Sequence, residues 1–461
     1  MPSPLGNFPS INELLESPPL KSLVDRVNPT RMISSVRSFV DGMRQEVQTA
    51  VSQRQIPSPL ALAEQIANWI VRQEEAGVRN VLNATGILLH PEFGGAPLAD
   101  EALAALRGAA ASYSRLPAAG TKPLRVEQLL QKLIGCEAAI VIANPALAAA
   151  LTTHVLACGR DVLLPRQQMV AAPDGSRTYE MLTSGGGLIR EIGAVNELTQ
   201  ADLANAGEPA FLFWQQGLPV LMQGQPQPLE LSQVVGWANR MSVPTVVDLG
   251  LGGLHDCAAF GLEAQPTAAA AISAGAALVL LRGDGLLGGP SCGVIAGKQS
   301  LISQLAAHPL ARAAACDKST LAALEATLQL YQPQPEQHPS SIERAIPLLG
   351  LLSTSEDNLK HRSERLLPQL ATSPALACVE SRTDFAHLTA AKLTSQRFPT
   401  WGLALQPAQG TAADLLIALS NTTPAIIGTI AGDRVWLDLR AISPREDQQL
   451  VTAVNQLAAP K

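Results

Sequence analysis

Three polar residues follow apolar runs and are of types that hold a charged ring or a phosphate. Asp248 closes the run VPTVVD and precedes Leu-Gly-Leu-Gly-Gly, while Asp284 lies in the loop RGDG. A carboxylate at a strand end can pair with a protonated ring nitrogen, and a turn or helix cap is its alternative role. Asn144 and Pro145 open an Ala-rich helix, whose free N–H groups suit a phosphate. Each signal is weak alone: a turn or cap is the favoured role of Asp248 by itself, and many strand-to-helix junctions like that at Asn144 bind nothing.

Gly285 is the residue that limits this chemistry. Residues 277–281 have the pattern of a buried strand, and RGDG at 282–285 forms the loop at its carboxyl end. In enzymes built on pyridoxal 5′-phosphate (PLP), a lysine leaving such a strand end forms the Schiff base that anchors and activates the cofactor. A glycine has no side chain and does neither.

Other motifs give little further chemistry. Arg312 and Lys318 in HPLARAAACDK are of the type that meets an anion, although a solvated helix face is the safer explanation of the pair by itself. Four dispersed histidines are best explained as structural: His90, His154, His255 and His308. No Walker motif, HExxH, GxSxG or zinc-ligand spacing is present in the sequence.

The composition indicates a multidomain cytoplasmic protein. A length of 461 residues predicts two or three domains, and 47% hydrophobic residues are ample for a large core. No apolar run approaches the roughly 20 residues that span a bilayer, and the N-terminus lacks signal-peptide features. The 6 cysteines are scattered, which predicts reduced, mostly buried thiols. The net charge of −6 gives no overall attraction to nucleic acid.

The pattern along the chain predicts three units. Residues 1–80 show helical spacing and contain equal numbers of basic and acidic residues, residues 81–335 alternate short apolar runs with Ala/Leu-rich segments, and residues 336–461 form a smaller α/β unit. The alternation predicts a mainly parallel sheet covered on both faces, with a ligand at the carboxyl ends of its strands. Predicted strands are 138–143, 161–164, 188–192, 210–214, 243–248, 277–282 and 292–296. Predicted helices between them are 97–108, 124–134, 146–157, 229–240, 266–274 and 299–307. Later come a long helix at 318–331 and a hairpin in IIGTIAGDRVWLDL.

Several of these motifs together resemble one family, the bacterial selenocysteine synthases, or L-seryl-tRNA(Sec) selenium transferases. The resemblance covers almost the full length. Its motifs are FPSINELLESPPLKSLV, VLNATGILLHPEFGGAPL, LLGGPSCGVIAGK, HPLARAAACDKSTLAALEATLQLY and PAIIGTIAGDRVWLDLRAISPRED. It implies an α/β fold of the fold type I PLP-transferase class, with a helical N-terminal domain that contacts tRNA and a small C-terminal α/β domain. It also implies a homo-oligomer, a dimer or a ring of dimers, with PLP as cofactor and seryl-tRNA(Sec) as substrate.

The departures from the family pattern lie where the chemistry is expected. The family reads SGDKLLGGP where this chain reads RGDGLLGGP, so its Schiff-base lysine falls on Gly285. The family's DLGSGSL is DLGLGGL here, which places Leu251 and Gly253 at hydroxyl positions. Further departures are Pro145 in an Asn-rich turn, Gly95 and Ala315 at arginine positions, and the lack of a GGGSLPG segment near residues 383–399.

The resemblance also assigns cofactor and substrate contacts. It implies that Asp248, Asn144 and Asp284 contact the cofactor. It implies that Lys122, Arg125 and Arg312 contact substrate anions, Lys122 standing at a family arginine and Arg125 at a family histidine. Among the lysines considered as substitutes, Lys298 and Lys318 match lysines that the family also carries. Serving as Schiff base from another loop, including that of Lys122, requires a reoriented cofactor.

Three hypotheses follow from these departures. The first is a catalytically diverged or inactive paralogue with a scaffold, regulatory or ligand-binding role, whose partners are tRNA(Sec) or an intact synthase. The second is a functional transferase converting seryl-tRNA(Sec) to selenocysteinyl-tRNA(Sec). The third is a PLP enzyme that holds its cofactor noncovalently. Because the lysine, the hydroxyls and an arginine are lost together, the first is favoured.

Overall fold

Short, continuously apolar runs become strands, and the Ala/Leu-rich segments between them become helices. The structure is a computed structural model. It describes residues 9–21, 23, 29–49, 57–75, 77–116, 123–169, 177–216, 229–262, 267–332, 341–391 and 396–457. The described helices are α1 (Ile11–Leu15), α2 (Pro18–Lys21), α3 (Pro29–Thr49), α4 (Pro59–Glu75), α5 (Asp100–Ala111), α6 (Arg125–Ile134), α7 (Pro145–Ala157), α8 (Thr178–Ser184), α9 (Gln200–Ala204), α10 (Leu231–Arg240), α11 (Ala268–Ser273), α12 (Gln299–Ala307), α13 (Pro309–Ala313), α14 (Lys318–Leu330), α15 (Ser341–Ala345), α16 (Pro347–Ser353), α17 (Glu356–Leu370), α18 (Ala412–Ser420) and α19 (Asp447–Asn455).

The strands agree closely with those predicted from the sequence. They are β1 (Val81–Asn83), β2 (Ile87–Leu89), β3 (Ala138–Ile142), β4 (Asp161–Pro165), β5 (Leu188–Ile192), β6 (Phe211–Gln215), β7 (Thr245–Asp248), β8 (Leu278–Arg282), β9 (Gly293–Gly297), β10 (Leu376–Thr389), β11 (Arg397–Pro407), β12 (Ala425–Ile427), β13 (Thr429–Ala431) and β14 (Arg434–Asp438). Strands β3 to β9 each match one predicted strand, with bounds that differ by at most two residues.

The largest sheet has the strand order β3-β9-β8-β7-β6-β4-β5. The pairs β4/β5, β4/β6, β6/β7 and β7/β8 are parallel, and β9 is antiparallel to both its neighbours. The prediction of a mainly parallel sheet is therefore confirmed. Buried apolar residues cover both faces, one cluster including Leu163, Val247 and Val279, the other Val162, Phe213 and Val246. This two-sided burial explains why the strands have no polar alternation in the sequence.

A second sheet, with the order β13-β14-β11-β10-β2, occupies the C-terminal part of the chain. The predicted hairpin is present between β13 and β14, where Ala431 pairs with Arg434 and Gly432 adopts a φ of 65°. The sequence pattern did not predict that β2 joins this sheet beside β10, or that β1 pairs with β12. The segment that carries β1 and β2 therefore connects with strands far away in the sequence.

Helices α1 to α4 bury their own apolar cluster, which includes Leu14, Leu20, Val36, Leu62 and Ile66. Prolines set the helix boundaries: α1 ends before Pro18 begins α2, and Pro29 starts α3. In the part of the chain that the structure describes, no helix has the length and apolar character to cross a membrane. All six cysteines are unpaired thiols.

Asp438, at the end of β14, is a fully buried carboxylate that faces the turn between β1 and β2. Its Oδ1 accepts hydrogen bonds from the Thr400 hydroxyl at 3.0 Å and the Arg440 amide at 2.8 Å. Its Oδ2 has no hydrogen-bond partner among the described residues and lies 2.9 Å from where a Cβ on Gly86 would stand. Burial raises the pKa of Asp438 to about 6, although the hydrogen bonds and the charge of Arg440 act in the opposite direction.

This raised pKa predicts a pH-dependent stability. The folded-state pKa lies above the ordinary value. The protonated form of Asp438 therefore adds to the unfolding free energy at low pH, and this stabilisation is lost as the pH rises through about 6. We expect the unfolding free energy of the wild type, relative to Asp438→Asn, to fall by about 2 kcal/mol between pH 4 and pH 7. Urea unfolding across this range measures it. The exposed Asp433→Asn variant is the control, and a pH-independent difference for Asp438→Asn would contradict the expectation.

Candidate active-site region

The carboxyl edge of the large sheet brings together most of the residues singled out in the sequence. Ile142 at the end of β3 pairs with Gly293, which in turn pairs with Arg282 at the end of β8. Strands lie about 4.8 Å apart, so Asn144 lies on the same edge roughly 10 Å from the loop after β8. Asp248 ends β7, which is the next strand on the other side. One edge therefore carries Asn144, Asp248 and Asp284.

Asp248 is a half-buried carboxylate that accepts a hydrogen bond from the loop that follows it. Its Oδ1 accepts a hydrogen bond from the Gly250 amide at 2.8 Å. Burial raises the pKa of Asp248, while this hydrogen bond and the positive charge of Arg282 lower it. The turn role considered for this aspartate is therefore present in the structure.

Arg282 is a charged residue of this edge to which the sequence analysis gave no role. Its Nε and Nη2 donate to Asp284 at 3.0 and 3.4 Å, and its side chain is 43% exposed while that of Asp284 is 13% exposed. Gly95 approaches the same carboxylate, since a Cβ there would lie 3.6 Å from Asp284 Cβ. The signal for this pair was the spacing of two opposite charges at i and i+2 after a buried strand. Asp284 therefore forms an ion pair within its own loop.

Gly285 lies buried against the loop that follows Asp248. A Cβ at position 285 would stand 2.8 Å from the Leu251 carbonyl oxygen and 3.3 Å from its carbonyl carbon and Cα. The next residue, Leu286, donates its amide to that same carbonyl oxygen at 2.9 Å. Backbone atoms therefore occupy the direction in which any side chain at 285 would start.

Asn144 caps the helix that it precedes. Its Oδ1 accepts from the Ala146 amide at 2.8 Å, and Pro145 occupies the first helical position of α7. One of the free N–H groups that a phosphate would use is thus already satisfied by the protein. Asn144 itself is exposed.

Two of the three predicted substrate-anion residues, Arg125 and Arg312, lie on described helices. Arg125 begins α6 and forms an ion pair with Glu325 of α14, Nε to Oε1, at 3.4 Å. Arg312 is exposed on α13, just before Ala314, whose carbonyl accepts the Ala143 amide beside β3. Lys122 lies outside the described residues. The structure thus places Arg312 near the end of β3 and engages Arg125 with an acidic partner.

Of the three lysines weighed as substitutes, the two that the structure describes, Lys298 and Lys318, do not reach the loop at 282–285. Lys298 follows β9, and its amide donates to the Ala277 carbonyl at the opposite edge of the sheet, one strand length or roughly 16 Å away. The Lys318 ammonium donates to the Ser112 carbonyl. Lys298 is therefore too distant, and the Lys318 ammonium is engaged elsewhere.

Buried thiols near this region do not replace the lysine as nucleophiles. Cys292 packs so closely on Gly283 that a Cβ there would stand 2.6 Å from its sulfur. Burial raises the pKa of Cys292 well above that of an ordinary thiol, and raises the pKa of Cys316 to about 11. Both remain neutral near pH 7, and the thiolate is the reactive form.

With this geometry established, comparisons with known proteins place the chain among related sequences. A family model described as L-seryl-tRNA selenium transferase matches residues 81–443. An L-seryl-tRNA(Sec) selenium transferase of Moorella thermoacetica is 34% identical over 463 residues, covering 98% of this chain and 96% of that protein. One of Geobacter sulfurreducens is 28% identical over 464 residues, covering 98% and 99% respectively.

The solved structures bear on the fold alone. The structure of D-glucosaminate-6-phosphate ammonia-lyase is similar with a TM-score of 0.57 and 18% identity, covering 84% of this chain and 97% of that chain. The α/β fold of the fold type I PLP-transferase class, predicted from the sequence, is confirmed.

The capping role of Asn144 gives a test of this part of the site. We expect Asn144→Ala to lower the unfolding free energy by about 1 kcal/mol, because the Ala146 amide loses its acceptor, and Asn144→Asp to retain most of it. Urea unfolding of the three proteins measures this difference. Millimolar inorganic phosphate should leave the wild-type midpoint unchanged, and a phosphate-dependent rise that Asn144→Ala abolishes would instead identify an anion site.

Proposed function

We propose a function from one established premise: the chain belongs to the L-seryl-tRNA selenium transferase family. The proposal is that it is a catalytically diverged member, which retains the family fold and forms no Schiff base with PLP through position 285. The observation that carries it is the loop contact at Gly285, where no side chain is present and the Leu251 carbonyl fills the space next to the Cα.

The described residues lack what PLP needs to form an internal Schiff base, and this supports the proposal. When bound, PLP supplies an electron sink for reactions at the α- and β-carbons of an amino acid, and it requires a lysine, a phosphate cradle and a partner for its ring nitrogen. Here position 285 is a glycine with the Leu251 carbonyl against it. Lys298 lies at the opposite edge of the sheet, and the Lys318 ammonium donates to the Ser112 carbonyl. The described residues therefore do not fit PLP held as an internal Schiff base, and we derive no catalytic step through it.

The retained parts of the chain favour a role as a scaffold, regulator or ligand-binding protein. Relatives named L-seryl-tRNA(Sec) selenium transferase align with 98% of this chain, including the N-terminal helices. We include three further elements in the proposal: a division into units 1–80, 81–335 and 336–461, a homo-oligomer, and a cytoplasmic location. We propose tRNA(Sec) or an intact synthase as its partners, because similarity over the full length would preserve the surfaces that bind them.

A spectrum with added PLP tests the absence of a Schiff base. We expect the purified wild type with PLP to show no protein-dependent band near ~420 nm and no cofactor fixed to a peptide after borohydride reduction. Absorbance spectroscopy followed by peptide mass spectrometry measures both. An enzyme with a known Schiff-base lysine, treated identically, is the positive control.

A reducible adduct on any one lysine of the folded chain would overturn the proposal and favour a functional transferase. Reversible binding of PLP without such an adduct would instead favour the noncovalent PLP enzyme. The two outcomes are separated by dialysis, since only the borohydride-reduced adduct survives it.

The N-terminal helices give a separate expectation for tRNA. Two of their cations are paired with acids on the same surface, Lys21 with Glu16 at 2.6 Å and Arg44 with Asp41 at 3.4 Å. Because residues 1–80 carry equal numbers of basic and acidic residues, we expect affinity for tRNA(Sec) to fall by only about tenfold between 50 and 200 mM salt. Fluorescence anisotropy with labelled tRNA(Sec), competed by bulk tRNA, measures it. A loss of about a thousandfold would reveal a concentrated basic surface and contradict this expectation.

A further inference from the structure

Two loops at the carboxyl edge of the large sheet meet backbone to backbone. We call them the β7 loop, residues 249–254, and the β8 loop, residues 283–288. The Leu286 amide donates to the Leu251 carbonyl at 2.9 Å, and the β7 loop is itself closed by the Gly252 amide donating to the Leu249 carbonyl at 2.8 Å. The two loops thus approach as closely as paired strands do.

Glycines make this approach possible from both sides. A Cβ at Gly285 would stand 2.8 Å from the Leu251 carbonyl oxygen, and one at Gly253 would stand 3.0 Å from the Leu287 amide nitrogen and 3.1 Å from the Leu286 carbonyl carbon. Neither glycine has a positive φ. The requirement is therefore for space and not for a backbone conformation that other residues avoid.

Packing on the other side of the β8 loop prevents it from moving away from the β7 loop. Leu286 is buried among Leu88, Ile346 and Leu348, and Leu287 is buried in the core of the large sheet. The Tyr331 hydroxyl donates to the Leu287 carbonyl at 2.8 Å. Leu251 packs its side chain against the same cluster as Leu286, so the β7 loop is also held in place.

We propose that Gly253 and Gly285 are a coupled pair that closes this edge of the sheet, turning the loop position of a catalytic lysine into a packing contact. The inference rests on the proposed function, which concerns the missing Schiff base, and extends it to the space around position 285. Leu251 completes the contact with its side chain. The two loops then connect the large sheet with the helices α15 and α16 and with β2. A lysine introduced at position 285 alone would clash with the Leu251 carbonyl.

A double-mutant cycle tests the coupling. We expect Gly285→Ala and Gly253→Ala each to lower Tm by roughly 3–10 °C, because overpacking a closed contact is destabilising. The double variant should lose clearly less than the sum of the two, since one separation of the loops accommodates both methyl groups. Gly108→Ala is the matched control: Gly108 lies in α5 with open space around it, so its Tm should stay or rise.

The outcomes overturn the inference and the proposed function separately. Single variants that match Gly108→Ala, or a double variant with strictly additive loss, would overturn the inference. The inference would also be overturned if Gly285→Lys kept the wild-type Tm and carried PLP on the new lysine after borohydride reduction. The proposed function would not be affected by that result. A reducible adduct in the wild type would overturn the proposed function, whatever the cycle shows. If Gly285→Lys does not fold, the alanine cycle still decides.

Discussion

The hydrogen bond between the Leu286 amide and the Leu251 carbonyl joins two loops that belong to different strands of the large sheet. Such a bond requires the two backbones to be within about 3 Å, and at Gly285 and Gly253 that distance leaves no volume for a Cβ. The consequence reaches beyond the loops, because Leu286 belongs to the apolar cluster that includes β2 and α16 while Leu287 belongs to the core of the sheet. Separating the loops would therefore disturb two cores.

The charges at this edge are balanced within the protein. Arg282 is paired with Asp284, and its charge also lowers the pKa of Asp248 against the effect of burial. A ligand that bound at this edge would have to compete with these internal contacts. The free energy of each new hydrogen bond to the ligand would be offset by the loss of the internal contact it replaced. Polar residues at strand ends thus indicate a place for a ligand without indicating whether the protein has already satisfied them.

Local pattern predicted the fold well, and contacts between distant segments were beyond it. Apart from the edge strand β5, which contains Arg190 and Glu191, the strands β3 to β9 are mainly apolar runs. The β13–β14 hairpin has its turn residues in sequence, so both features could be identified from neighbouring residues. The pairing of β1 with β12 joins residues more than 300 positions apart, and no local pattern specifies it. The absence of a side chain at Gly285 was evident from the sequence, whereas the Leu251 carbonyl that fills its place depends on loop geometry. The Arg282–Asp284 pair was missed because a charge after a strand is usually solvated.

The persistence of LLGGP beside Gly285 shows why motif similarity informs fold more than activity in this chain. Leu286 and Leu287 are buried, Tyr331 donates to the Leu287 carbonyl, and a Cβ at Gly288 would meet Ile346 at 2.3 Å. Each of these residues is required by packing, and packing is needed whether or not position 285 carries a lysine. A residue that only performs chemistry has no such support and can be exchanged without loss of the fold. Packing of this motif therefore accounts for the strong family match, although Gly285 immediately before it carries no nucleophile.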